Sequence, residues 1–317
     1  MRDIIGEIMI LPKYLQDKIL EISSSLKKSN LIESRQALTQ RYKKQTGQSK
    51  SLIENRLDSE VYAISRMPAT YAVIYTLVNG LMEQGFIKDV ESVLDFGSGT
   101  GSGYFALKQL LDDPDFTLIE RDSNMISMFN RLCDNEILVR KDNISNIETK
   151  ADLVLTSYVL SEMLENERLL IVDKLISLSS KYLLIIDTGT PEVYKQLMKV
   201  KEYVENKGCF VTAPCRCNKC GLVDDYCQFY ARVERTALHR QVKGGTLSYE
   251  DEKYFYLLIE KTERKVSGAR VIRRPIIKEK MIELKVCDES GVLSKIYTKK
   301  DKDLFKSVKK AKINELV

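Results

Sequence analysis

The sequence predicts an α/β protein built on a doubly wound parallel sheet, and three observations predict it. Five short, nearly uninterrupted apolar runs, in ESVLDFGSG, DFTLIERD, NEILVRKD, ADLVLTSYVL and KYLLIIDTGT, read as strands covered on both faces. Between them, SGYFALKQLL, SNMISMFNRL and ERLLIVDKLISLSS carry apolar residues at helical spacing. The first run leads directly into a glycine-rich turn, DFGSGTGSG, that opens the next helix.

The elements follow in order. Residues 1–88 read as an N-terminal helical region. Leu11, Leu15, Ile19 and Ile22 recur at helical spacing, and SLKKSNLIESRQALTQRYKK continues in a polar, helix-favouring register. Pro68 in SRMPATYAVIYTLVNGL stands where a helix begins, with Ala72, Ile74, Leu77 and Leu81 as its apolar face. Residues 89–208 hold the alternating strands and helices and close with the helix EVYKQLMKVKEYVEN. Residues 209–247 form a cysteine-rich insertion. Residues 248–317 complete the domain with strands in FYLLIEK, IELKVCD and SKIYTKK and a charged helix, KDLFKSVKKAKIN. No repeat or low-complexity linker interrupts this order.

A chain of 317 residues, 44% hydrophobic and 30% charged, is long enough to bury a substantial core and has ordinary globular composition. It contains no apolar run of the ~18 residues a membrane helix needs, so no membrane partner is expected. The N-terminal stretch MRDIIGEIMILPKYLQDKIL alternates charge with apolar residues and reads as neither secretory signal nor transit peptide. The expected setting is the cytoplasm of a bacterium or, in a eukaryote, the mitochondrial matrix. There thiols stay reduced, and seven cysteines, an odd number, also argue against a disulfide framework. The net charge of +5 is uneven: Lys261–Val317 holds 17 Lys/Arg against 8 Asp/Glu, a local +9. That excess suits a polyanion such as RNA; the plain alternative is a solvated lysine-rich surface.

The turn Asp95–Gly103 has the context of a nucleoside or dinucleotide loop, with Gly97, Gly99 and Gly101 allowing close backbone approach. The first strand ends in Asp95. The next ends in Glu120, placed to accept both ribose hydroxyls, and the following one in Asp142, where an adenine amino group would be read. This order resembles the S-adenosylmethionine loop of class I methyltransferases more than a nicotinamide loop, which wants a helix N-terminus on a pyrophosphate. The alternative is a domain that keeps the loop for packing and binds nothing. Residues that would carry the chemistry are less evident. The position after the fourth strand reads LTSYVLSEM, without the Asn/Asp-Pro-Pro-Tyr/Phe of adenine N6 enzymes. Pro214-Cys215 lies beyond the fifth strand, away from where a cytosine C5 nucleophile would sit. The single histidine, His239, falls outside the reactive end of the fold.

Residues 213–227, APCRCNKCGLVDDYC, hold four cysteines. Metal is the best explanation of such a cluster in a reducing compartment, beside the alternative of small buried hydrophobes. Cys217-x2-Cys220 fits a zinc knuckle, with Cys215 and Cys227 nearby. A four-iron cluster also fits, taking three loop thiolates and a distant fourth such as Cys287. Cys133 and Cys209 read as packing residues. The loop is polar through Asn218, Lys219, Gly221, Asp224 and Asp225, so metal–thiolate bonds would pin it to the strand carrying Cys287.

Several stretches resemble the mitochondrial and alphaproteobacterial family of methyltransferase-like proteins that assist assembly of the small ribosomal subunit. They include SRMPATYAVIYTL, VLDFGSGTGSG, LVLTSYVLSEM, IIDTGTPE, APCRCNKCGLVDDYCQF, ARVERTALHRQVKGG, LSYEDEKYFYLLIEK and IELKVCDESGVLSKIYTKKD, in order from about residue 62 to 312. The resemblance implies a Rossmann-like class I methyltransferase sheet with an N-terminal helical region and a cysteine-rich, basic C-terminal extension. It implies S-adenosylmethionine at Asp95, Gly97, Gly99, Gly101, Glu120 and Asp142. It also implies a [4Fe-4S] cluster on Cys215, Cys220, Cys227 and Cys287, zinc being the alternative metal, and a chain that is a monomer when free. Two departures stand out: Cys217 is an extra thiol able to replace Cys215 or Cys220, and Tyr226-Cys227-Gln228 stands where the family shows Trp-Cys-His. Arg232, Arg235, His239, Arg240 and Lys243 would then face rRNA together with Arg270, Arg273 and Arg274.

The function expected is therefore small-subunit assembly through rRNA binding, by a protein that carries S-adenosylmethionine and a structural iron–sulfur site. One alternative is an active rRNA methyltransferase with the target base entering near Thr156 and Ser157. Another is a zinc-stabilised RNA-binding module with a vestigial pocket.

Overall fold

A computed structural model describes residues 8–44, 52–134, 137–217, 220, 222 and 225–317. Asn135 and Glu136 of the third strand-like run, and Asn218, Lys219, Gly221 and Asp224 of the cysteine loop, lie outside the described residues. The N-terminal region opens with a strand, β1 (Ile8–Met9), and continues as α1 (Lys13–Ser24), α2 (Lys28–Lys44), α3 (Arg56–Ser65) and α4 (Met67–Glu83). Asn55 caps α3 by accepting from Asp58 N at 3.0 Å, and Pro68 sits in the first turn of α4, where its missing N–H costs nothing. The sequence marks one apolar face on α4, yet Met67–Ile74 is buried all round. The helix is enclosed between the sheet and its helical neighbours, and only an all-apolar circumference permits that.

Strands β2 (Ser92–Phe96), β3 (Asp115–Ile119), β4 (Val139–Arg140), β5 (Ala151–Ser157) and β6 (Ser179–Thr188) alternate with α5 (Ser102–Leu110), α6 (Ser123–Leu132), α7 (Glu165–Leu178) and α8 (Pro191–Asn206). Then come β7 (Phe210–Ala213), β8 (Phe229–Glu234), α9 (Ala237–Lys243) and β9 (Tyr249–Glu260). The order across the main sheet is β4-β3-β2-β5-β6-β9-β8-β1, with β7 also on β9. Strands β2–β6 pair in parallel and β9 joins antiparallel. Helices α5 and α6 pack with α4 and α3, and α7 packs with α8, the arrangement that right-handed crossovers on the two faces of a parallel sheet require. That double cover explains the runs Leu153–Leu155 and Leu183–Ile186, which are essentially inaccessible. The order in which strands are added reverses between β2 and β5, and a cleft opens at the carboxyl ends of strands on either side of such a switch. This is the Rossmann-like class I methyltransferase sheet.

Two placements depart from the sequence reading. β1, in the region read as helical, adds a parallel strand on β8 through Ile8↔Arg232. Also, β8 and β9 are paired neighbours in the main sheet, so no structural division falls at residue 247. A second sheet begins only at Arg270 and contains β10 (Arg270–Val271), β11 (Ile276–Ile277), β12 (Met281–Asp288) and β13 (Gly291–Thr298). Helix α10 (Lys302–Val308) covers it, with Val308 and Ala311 against Ile282, Leu284 and Val286. No helix among the described residues is long and apolar enough to cross a membrane.

Arg270 joins these parts. It is fully buried, donates from Nε to Pro214 O at 2.9 Å and from Nη1 to Asn314 O at 2.7 Å, and lies 5.1 Å over the Phe86 ring. Removing the guanidinium leaves the Pro214 and Asn314 carbonyls without their buried donor, so Arg270→Leu is expected to lower unfolding free energy by ~3 kcal/mol, measured by urea titration. A loss of only a few tenths would mean that the surrounding groups find other partners.

Candidate functional site

The cleft at the carboxyl ends of β2 and β5 has a volume of about 640 Å³, within the ordinary range for small-molecule sites. Four of the six residues the sequence proposes for a cofactor line it: Gly97, Gly99, Glu120 and Asp142. Gly97 and Gly99 adopt φ of +75° and +56°. A side chain at Gly97 would also collide with Val159 beyond β5, so glycine is required twice over. Glu120 accepts from Gly99 N at 2.9 Å and Asp122 N at 2.8 Å, which fixes its carboxylate at the rim of the loop. Asp142 accepts from Asn143 N at 2.7 Å and Asn146 Nδ2 at 2.9 Å.

The other two residues stand behind the loop. A Cβ on Gly101 would run into Phe129, so this glycine serves the packing of α5 on α6. Asp95 is buried, both its oxygens lack hydrogen-bond partners among the described residues, and Gly103 abuts it. Burial, helped by the Glu120 charge, pushes its carboxyl up to about 7. Ser98, Thr100 and Thr156 likewise keep buried hydroxyls without partners. Unsatisfied polar atoms gathered round a glycine turn suit a polar ligand such as a nucleoside.

The β5 side of the cleft holds residues that the sequence reading did not single out. Tyr158 and Glu162 fall directly after β5 in the LTSYVLSEM stretch, while Tyr42 and Tyr62 come from α2 and α3 and pack against Met125 of α6, the helix after β3. Position just beyond a central strand was the available signal for the first two. For Tyr42 and Tyr62 there was none, since only the packing of the N-terminal helices brings them over the sheet.

The thiols gather away from the cleft. Cys287 on β12 and Cys217 in the loop, 70 positions apart, bring their sulfurs to 3.7 Å. Cys220 accepts from Tyr194 Oη at 3.3 Å. Hydrogen bonds from Cys217 and then Cys227 draw its thiol down to about 2, and a bond from Cys217 lowers Cys287 to about 7. Burial raises Cys215 to about 12. The thiol in contact with Cys287 is thus Cys217, the one the resemblance leaves out. The donor set is soft sulfur throughout, which suits zinc or iron. Among the described residues no group of three or more His, Cys, Asp or Glu side chains is arranged to hold a metal ion. Protein contacts also hold the loop: Arg273 donates to Asp225 Oδ1 (2.6 Å) and Tyr226 O (2.7 Å), Lys285 reaches Asp225 (2.9 Å), and Arg216 reaches Gly268 O (3.3 Å).

Several cations expected to face nucleic acid are turned inward. His239 is 1% exposed, and burial lowers its pKa and favours the neutral ring; its Nε2 lies 3.4 Å from Glu250. Arg235 and Lys243 converge on that same Glu250, Lys243 at 2.7 Å. Arg232 grips Asp251 with two bonds (2.7 and 2.9 Å) and covers Tyr249. Arg270 is the buried joint described above, and Arg273 braces the cysteine loop. Arg240 is half-buried, and Arg274, over Tyr230, is exposed. The exposed cations instead cluster at the β11–β12 turn and the end of β13: Lys278, Lys280, Lys299, Lys300 and Lys302.

A family model described as "Mitochondrial small ribosomal subunit Rsm22" matches residues 56–315. No curated protein matches the chain in sequence. Among solved structures, the magnesium protoporphyrin IX methyltransferase of Synechocystis with bound S-adenosylmethionine is 13% identical. It covers 74% of this chain and 97% of its own, with a TM-score of 0.43. A candidate RNA methyltransferase of Pyrococcus horikoshii is 18% identical, covering 73% and 98%, at 0.41. The plantazolicin methyltransferase BpumL, in complex with a substrate analogue and S-adenosylhomocysteine, is 12% identical, covering 78% and 100%, at 0.44. Likenesses this remote say nothing about substrate.

Asp95 gives a pH test of the loop. The folded chain holds a proton on Asp95 up to about pH 7, whereas the unfolded chain releases it near the ordinary value of 3.8. Its contribution to stability is therefore full below pH 3.8 and declines as pH rises to about 7, by at most ~1.4 kcal/mol per unit of pH. Asp95→Asn is expected to remove this decline, read as the difference between urea midpoints of the two proteins across pH 4–8; parallel profiles would contradict it.

Proposed function

The chain belongs to the Rsm22 family of the mitochondrial small ribosomal subunit, and from that premise we propose that it is an assembly factor of that subunit. It binds rRNA on an immature particle, carries S-adenosylmethionine in its cleft and uses a [4Fe-4S] cluster as a structural brace. One observation carries the reading: the stretch matched by the family model contains both the glycine loop with the acids of the cleft and the meeting of Cys287 with Cys217.

The residues divide the work. Gly97 and Gly99 let the backbone come close to the ligand, while Glu120 and Asp142 offer carboxylates to hydroxyl and amino groups. When bound, S-adenosylmethionine supplies an activated methyl group. Cys220, Cys227 and Cys287, with Cys215 or Cys217 as the fourth, would hold the cluster, whose iron–thiolate bonds would tie the polar loop to β12. The lysines from 278 to 302 offer RNA a phosphate-binding surface that positions without reading sequence. The setting proposed is the mitochondrial matrix, supported by a family model described as mitochondrial, or the cytoplasm of a bacterium. An active rRNA methyltransferase is the second reading, favoured by Glu162, a carboxylic acid lining the cleft that could serve as a proton acceptor or donor.

Two experiments test this. Anaerobically purified protein is expected to contain iron and to show the broad visible absorption of iron–thiolate charge transfer. Cys227→Ser and Cys287→Ser should lose iron, and comparing Cys215→Ser with Cys217→Ser identifies the fourth ligand. Colourless protein with one zinc, or with no metal, would overturn the cluster. In RNA titrations, replacing Lys278, Lys280, Lys299 and Lys300 by alanine should weaken binding and flatten its dependence on the logarithm of salt by about 0.7 per lost contact to a single strand. An unchanged slope would move the RNA surface elsewhere.

A further inference from the structure

All the thiols of the chain are free, and two of them meet across the fold: the sulfurs of Cys217 and Cys287 lie 3.7 Å apart. Each is held there by its own surroundings. Cys287 belongs to β12, which has neighbours on both edges at this point, Arg270 of β10 on one side and Val292 of β13 on the other. Cys217 follows Arg216, which is pinned to the same region. The Arg216 guanidinium donates to Gly268 O at 3.3 Å and to Val266 O, and its backbone N–H donates to the Cys287 sulfur. Both thiols are almost enclosed, at 7% and 5% exposure. Cys217 is also the extra thiol that the ligand set drawn from the resemblance does not use.

Two thiols in contact, on supports that do not drift apart, behave as a single dithiol. They are 70 positions apart along the chain, but folding has already closed that loop, so pairing them costs little further entropy. In a reducing compartment a disulfide forms where a partner is prealigned, and such bonds are transient or redox-sensing. A bond requires the sulfurs to close from contact to ~2 Å, and the loop, not β12, makes that approach.

We propose that Cys217 and Cys287 form a redox modification site: when no metal holds the thiols, a peroxide converts them to a disulfide that fastens the loop to β12 and withholds Cys287 from the cluster. One thiolate sulfur attacks a peroxide oxygen; the O–O bond breaks, an S–O bond forms and hydroxide leaves. The second sulfur then attacks the first, forming the S–S bond while the S–O bond breaks and a second hydroxide leaves. The two thiol protons neutralise the two hydroxides, so the dithiol loses two electrons and hydrogen peroxide becomes two waters. Ligation and oxidation exclude each other at Cys287, because a sulfur in a disulfide has no thiolate charge to offer a metal. The cross-link stands by itself, whereas the block on cluster loading rests on the reading that Cys287 is a cluster ligand.

The test uses the full chain, stripped of iron by a chelator, kept anaerobic and treated with one equivalent of hydrogen peroxide. Remaining thiols are capped with N-ethylmaleimide before digestion with trypsin and mass analysis. Trypsin cuts after Arg216, Lys219, Lys285 and Lys295, so Cys217 leaves in CNK and Cys287 in VCDESGVLSK, each apart from every other cysteine. The expected product is CNK joined to VCDESGVLSK, lost in Cys217→Ser and Cys287→Ser, kept in Cys133→Ser and reversed by dithiothreitol. The oxidised chain should take up no iron and sulfide until dithiothreitol reopens the bond, while the chain kept reduced takes them up. Absence of that cross-link, or CNK joined instead to the peptide of Cys220 and Cys227, overturns the proposal and leaves the cluster reading standing. A cross-linked chain that loads iron as fully as the reduced one overturns the block at Cys287. A reduced chain that takes up no iron removes the cluster reading, and the mass of the cross-link still decides the disulfide. The digest of the unsubstituted chain carries the result, so a variant that misfolds does not obscure it.

Discussion

Much of this molecule depends on one buried guanidinium. Arg270 opens the second sheet, and its hydrogen bonds reach the carbonyl of Pro214 at the head of the cysteine loop and that of Asn314 in the C-terminal tail. Asn314 in turn accepts from Tyr256 in the main sheet, and Gln84 at the end of α4 also receives from Arg270, at 3.3 Å. A cation without a carboxylate partner is costly to bury, so the site is stable only while these neutral acceptors stay in place. The same contacts set the tail's own pairing, in which Ala269 and Val317 exchange hydrogen bonds of 2.9 Å. The C-terminal sheet is thereby held to the methyltransferase-like sheet independently of anything bound to the thiols.

This bears on what a cluster would add. Arg216, Arg273 and Lys285 already fasten the cysteine loop to the second sheet by hydrogen bonds and ion pairs. The side chains of Asp225 and Lys285 are each about a third exposed, so their pairing weakens with salt and contributes little. Thiolate–metal bonds would supply the stronger restraint and would act where the polar loop meets β12. A brace of that kind would make the basic surface rigid, which matters for docking on folded RNA more than for affinity alone.

The cleft is coupled to the segment beyond β5 by contact as well as by proximity. Gly97 and Val159 approach so closely that no side chain fits at 97. The glycine loop and the stretch that opens with Tyr158 are thus packed as one wall of the cleft.

The sequence by itself determined the alternation of strands and helices, the helix start at Pro68, the glycine turn and the acids at strand ends, because each depends on local periodicity or on the backbone freedom of one residue type. Strand ends map onto one edge of a parallel sheet, which is why Glu120 and Asp142 were legible as cleft residues. The tertiary structure alone decided which cations meet solvent. Glu250 draws Arg235 and Lys243 inward and Arg270 is enclosed by residues far along the chain, while lysines with no distinguishing pattern are left exposed. It alone also brought β8 and β9 into the main sheet, set Cys217 rather than Cys215 beside Cys287, and laid Tyr42 and Tyr62 over the cleft. Each of these depends on partners many residues away, whose approach is fixed by packing, and no local pattern encodes it.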